Sequence, residues 1–83
     1  MKTRVVVQGR TYIALETAAE CYQVDAAFVH RVYVAGLLGN AERAGDVLMI
    51  EVSMLEQLAQ AVRLHHHLGF DLETVALLLE LES

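Results

Sequence analysis

VSMLEQLAQAVRLHHHLGFDLETVALLL, running from Val52 to Leu79, reads as two helices with a sharp break between them. Ser53 is an expected N-cap, because a hydroxyl there can accept a bond from the free N–H groups of a first turn, and Glu56 three residues on completes a capping box. Leu55, Leu58 and Val62 recur at helical spacing, with Ala61 and Leu68 on the adjoining stripe. Gly69 is the one residue of the stretch that takes the left-handed C′ position without steric cost. Asp71 follows as the next expected N-cap, and Glu73 lies where the positive end of the helix dipole favours a carboxylate. Leu72, Val75, Ala76 and Leu79 fall on one face of the second helix. The residues before this helical pair must supply the opposite wall of a core.

Eighty-three residues make one small domain, expected to gain area by self-association. Hydrophobic residues are 55% and charged residues 20%, which excludes a disordered tail. Proline is absent and glycines are five, so helix is favoured over an all-β architecture. The single Cys21 cannot form an internal disulfide and reads as a small buried apolar residue. Val5-Val6-Val7 is too short for a signal core, and no apolar run reaches the roughly 20 residues of a membrane span. A cytoplasmic protein is expected. The net charge of −5 comes from six scattered Lys and Arg against eleven Asp and Glu. That balance argues against nucleic acid, where affinity rests on clustered cations, and favours a basic protein surface as partner.

Upstream, Thr3 to Val7 reads as a strand and Thr11-Tyr12-Ile13 as its hairpin return. A first helix over about 14–22 puts Leu15, Ala18, Ala19 and Tyr22 inward. Asp25 is the expected cap of a second helix, whose inner face is Val29, Val32 and Tyr33 with Phe28 beside them. The short connection makes the pair a helix-turn-helix by pattern. Residues 40–46 read as a polar turn and Val47 to Ile50 as strand-like, together a wing.

Chemistry-bearing constellations are few. His65-His66-His67 cannot converge on one ion, since consecutive helical residues point about 100° apart. They read as a solvated last turn, with Asp71 pairing His67 across the corner. No phosphate loop, nucleophile elbow or metal-type Cys/His spacing is present, so no enzyme, cofactor or metal is expected. Glu16 and Glu20 share a helix face at i, i+4, and Asp71 and Glu73 crowd the corner. These four acids are the candidate partner contacts, with a solvated face as the plain alternative. Leu77 and Leu81 lie opposite the buried face of the last helix. Either one closes over the end of the helical pair, or the two form a self-association stripe.

The segments YIALETAAECYQVDAAFVHRVYVAGLL and LGFDLETVALLL resemble the winged-helix head of the MerR family of regulators. The resemblance covers about Tyr12 to Leu79 and rests on Tyr12, Ile13, Glu16, Ala18, Gly36-Leu37-Leu38 and the LGF word. It implies an α+β, mainly helical, MerR-like winged helix-turn-helix over 1–83. Its parts are a hairpin at 3–13, a helix-turn-helix at 14–35, a wing at 36–50 and a helical pair at 53–81. DNA-binding members carry Arg where this chain has Ala27 and His30, and a Tyr pair where it has Arg31-Val32. The expected wing holds only Arg43 between Glu42 and Asp46, and no long dimerising helix follows before Ser83. AVRLHHHLGFDLETVALLLEL is closer to the CbpM family of chaperone modulators and its short DafA-type relatives. That resemblance implies a non-catalytic adaptor that binds the J-domain of a DnaJ- or CbpA-like co-chaperone and regulates or assembles the DnaK system, as a homo-dimer or small oligomer. The alternative is a MerR-family DNA-binding transcriptional regulator.

Overall fold

The structure, a computed structural model, describes residues 4–39 and 42–82. Thr3, Asn40 and Ala41, to which the expected first strand and polar turn extend, lie outside them. Val5, Val6 and Val7 are β-branched and stiff at χ1, and they form β1 over Arg4–Val7. Gln8 and Gly9 both take positive φ, 52° and 78°, the pattern of a two-residue hairpin corner whose twist matches the strands. β2, Arg10–Ala14, then returns antiparallel with Arg10 opposite Val7.

α1 spans Leu15–Cys21 and α2 spans Ala26–Val34. α1 stops at Gln23, which sits at φ 55° while the Val24 N–H donates to the Ala19 carbonyl at 3.0 Å. That is the left-handed Schellman stop, here held by a residue other than glycine. α2 stops the same way at Gly36, where the Leu37 N–H reaches the Val32 carbonyl at 3.3 Å and turns Leu37 and Leu38 into the core. Asp25 occupies the N-cap position of α2 as expected, but its carboxylate makes no capping bond. The inward stripes of both helices match their periodicity, with Leu15, Ala18 and Ala19 buried on α1 and Phe28, Val29 and Val32 on α2.

β3, Glu42–Ala44, and β4, Val47–Glu51, form a second hairpin around Gly45 and Asp46. Glu42 to Ala44, expected as turn, is strand instead. Strand pairing is made by the backbone, and a sheet edge tolerates polar side chains. The two hairpins are not separate. β2 pairs antiparallel with β4, placing Ile13 opposite Ile50, so the strands run β1-β2-β4-β3 in one curled sheet.

α3 spans Leu55–Val62 and α4 spans Leu72–Glu82, with a π-helical turn at Arg63–His67 between them. The expected Ser53 capping box is not formed. The last extended residue is Glu51, held in the β2–β4 ladder, and Val52–Met54 follows as a 3₁₀ turn with no side-chain cap. Ser53 therefore already lies inside a turn, whereas an N-cap needs extended backbone. At the corner Gly69 takes φ 77° as expected. The Leu68 N–H, however, bonds five residues back to Arg63, and the Phe70 N–H six back to Leu64. One extra residue per ring rotates the downstream positions by about 100°, so Leu68, expected on the inner stripe, is 60% exposed.

The core draws on every layer: Ile13 and Ile50 from the sheet, Ala18, Val29 and Val32 from α1 and α2, Leu38 from the connection, Leu58 and Ala61 from α3, Val75 and Leu79 from α4. Each fully buried Leu, Ile or Val contributes about 1.5–3 kcal/mol by leaving water. The Tyr22 hydroxyl donates to the Leu55 carbonyl at 3.1 Å and ties the end of α1 to the start of α3. No charged or polar side chain is buried among the described residues. The result is a small α+β domain.

Candidate functional site

Glu16 and Glu20 are both exposed and one helical turn apart on α1, which packs on α2, β2 and β4. Asp71 and Glu73 stand at the start of α4, which packs on α3 and the π turn. The four candidate acids are thus divided between two packing neighbourhoods and do not form one cluster. Asp71 is already engaged: its Oδ1 accepts the Thr74 N–H at 2.8 Å, the cap expected of it. The bonds from Thr74, with a smaller pull from the His65 imidazole, hold its carboxyl below the usual carboxylate range. Glu73 makes no such bond and faces solvent.

His66 and His67 are exposed, as expected of a solvated last turn, but His65 departs from it. His65 is half-buried, its ring stacked on Phe28 of α2 at 4.9 Å and 23°. His66 meets the same phenyl ring edge-on at 5.0 Å. The His65 Nδ1–H donates to the Phe70 carbonyl at 2.8 Å, which ties the π turn to the corner beyond it. The expected Asp71–His67 pair is not made, and the imidazole that acts on Asp71 is His65. Regular α-helical spacing from Leu58, Ala61 and Val62 already puts His65 on the inner stripe, at i+7, i+4 and i+3, and there it meets α2.

α2 presents Ala27, His30, Arg31 and Val34 outward, at i, i+3, i+4 and i+7. That face offers one arginine, while recognition of duplex needs several cations and amides aimed at phosphates and base edges. Glu16 lines a shallow groove of about 380 Å³ with Ala27 and His30 of α2 and Arg43 and Asp46 of the second hairpin. Sequence reasoning missed this juxtaposition. Only the β2–β4 pairing brings the second hairpin beside α1, and no local signal announces it.

The apolar surface is concentrated late in the chain. Leu77 is 62% exposed and Leu81 82%, so neither closes over the helical pair. Leu68 and Phe70 add to it at the corner. Cys21, expected buried, is exposed, because it lies about 100° around α1 from Tyr22 and off the Leu15, Ala18, Ala19 stripe. Among the described residues no three His, Cys, Asp or Glu gather as a metal site, and no helix is long and apolar enough to cross a membrane. No family model, curated protein or solved structure matches this chain, so its exposed acids and leucines carry the functional argument.

Proposed function

We propose that the chain is a cytoplasmic, non-catalytic chaperone modulator with a MerR-like winged helix-turn-helix head. It binds the J-domain of a DnaJ- or CbpA-like co-chaperone and through it regulates or assembles the DnaK system. The resemblance over Tyr12 to Leu79 motivates the reading, and a β3–β4 hairpin that follows the two helices in the chain is consistent with it. One observation carries it: Glu16, Glu20 and Glu73 all face solvent, while the outward face of α2 holds a single arginine. Exposed acids attract a basic partner wherever they stand, and that face of α2 offers duplex DNA little. Two surfaces are candidates for self-association, the Leu77–Leu81 stripe and the free edge of β1, where Val6 is 68% exposed.

Titration calorimetry against the isolated J-domain of the same cell tests the reading. Heat of binding at low salt, weakening as salt screens the charges, is the expected result. Glu73→Lys should slow association without unfolding the chain. An absence of heat, with both proteins folded, removes the J-domain from consideration. A salt-steep, sequence-specific shift of duplex DNA would instead establish the regulator.

A further inference from the structure

We propose that the partner docks in the groove between α1, α2 and the second hairpin, and that it enters with a basic helix carrying an apolar side chain between two cations. The partner's identity as a J-domain protein rests on the function proposed above, whereas the chemistry of the seat rests on the groove's own residues.

Three separate parts of the chain build the groove. Leu15 starts α1, Ala26 starts α2 and Leu48 lies in β4, and together they give it an apolar lining that is buried or half-buried. Two exposed carboxylates stand on it from different elements, Glu16 from α1 and Asp46 from the turn of the second hairpin. Glu20 follows one helical turn beyond Glu16 on the same face of α1. His30, its ring centroid 6.2 Å from that of Tyr33, lines the groove from α2. Arg43 on β3 is the one Lys or Arg among the described residues that line it. Among the described residues Glu16, Glu20, Arg43 and Asp46 make no ion pair, so their charges are available to a partner.

Charge selects the occupant. Two acids at the groove and a third beside it favour a cationic surface. A groove of about 380 Å³ with an apolar lining favours a side chain that gains by leaving water. Arg43 opposes a partner that is cationic throughout, so the cations must be spaced to meet Glu16 and Asp46 and to leave Arg43 aside. A second copy does not supply such a helix. α1, α3 and α4 contain no Lys or Arg, and α2 contains Arg31 alone. Arg10 of the first hairpin is already paired with Glu51 at 3.5 Å. Neither surface named above for self-association contributes a residue to the groove's lining. Glu73 stands on α4, which does not line the groove either. It acts on the partner through the overall field, which sets association, while contacts in the groove set dissociation.

The test uses Ala27→Trp, which crowds the groove without altering any charge, and Asp46→Lys, which reverses one of its acids. Ala27 and Asp46 are both exposed, so helix content and melting temperature should match the wild type; Ala27→Leu and Asp46→Asn serve in their place if they do not. The probes are the isolated J-domain and a synthetic helical peptide of roughly 18 residues with a Leu between two Lys on one face, with a Glu-for-Lys peptide as control. Wild type is expected to bind the J-domain and the Lys peptide, and to ignore the Glu peptide. Each variant should bind both at least about tenfold more weakly through faster dissociation, as when a central contact of an interface is lost. Glu73→Lys should slow association alone. Binding of both probes that survives Ala27→Trp and Asp46→Lys would overturn the groove and leave the function proposed above standing. A wild-type dimer in sedimentation that these variants dissociate would overturn it too, since the occupant would then be a second copy. Folded wild type that binds neither probe refutes the groove and the J-domain together. Peptide binding lost in the variants, with no J-domain binding at all, would uphold the groove and refute the J-domain.

Discussion

Replacing His65 by alanine should destabilise the protein by about 1–2 kcal/mol, although an isolated reading of the chain puts it on a solvated turn. Two interactions are lost. The stack on Phe28, with centroids 4.9 Å apart and rings 23° from parallel, is of a kind worth about 0.5–1.5 kcal/mol beyond buried area. The bond from Nδ1–H to the Phe70 carbonyl, 2.8 Å and exposed, contributes roughly 0.5 kcal/mol, because water can replace it. Alanine is a better helix former than histidine, which offsets a few tenths. In a domain of 83 residues about 1 kcal/mol shifts the melting temperature by roughly 6 °C, within reach of a thermal melt followed by circular dichroism. Denaturant unfolding of His65→Ala, Phe28→Leu and the double variant then isolates the stack. Its coupling should be about 1 kcal/mol, well outside the additivity of distant sites. A coupling under about 0.3 kcal/mol, or a His65→Ala melt within about 2–3 °C of wild type, would refute both the stack and the placement of the π turn against α2.

Leu68→Ser separates the π turn from a regular helix. At 60% exposure the change should stay within about 0.5 kcal/mol, whereas a leucine on the inner stripe would cost about 2–5 kcal/mol in a denaturant melt. Asp71 sets an acid dependence. Its folded pKa is lowered, so its stabilising contribution is complete above the unfolded value near ~4 and is lost as pH falls through the lower folded value. The stability difference between wild type and Asp71→Asn should therefore fall through that acid window. A difference that stays constant down through it would show that the carboxylate is not held by Thr74.

Much of the helical framework was legible before folding. The stripes of α1, α2 and α4 follow from 3.6-residue periodicity, the first hairpin from three valines before a turn, and the corner from Gly69 and Asp71. Each of these is decided within a few residues of itself, by sterics, capping or the spacing of apolar side chains. The acids Glu16, Glu20 and Glu73 were legible as exposed for the same reason. Legible too was the outward position of Leu77 and Leu81, though not whether the fold would cover them. Hidden from the chain were the features made by distant partners. The β2–β4 ladder joined two hairpins into one sheet and held Glu51 extended, which displaced the helix entry away from Ser53. Phe28 received His65 and His66 from 37 and 38 positions downstream, and the π turn at Arg63–His67 left Leu68 out in solvent. Local periodicity specifies which face of an element is apolar. Only the packed structure specifies what each face meets, because that depends on backbone pairing and ring contacts between segments that share no sequence signal.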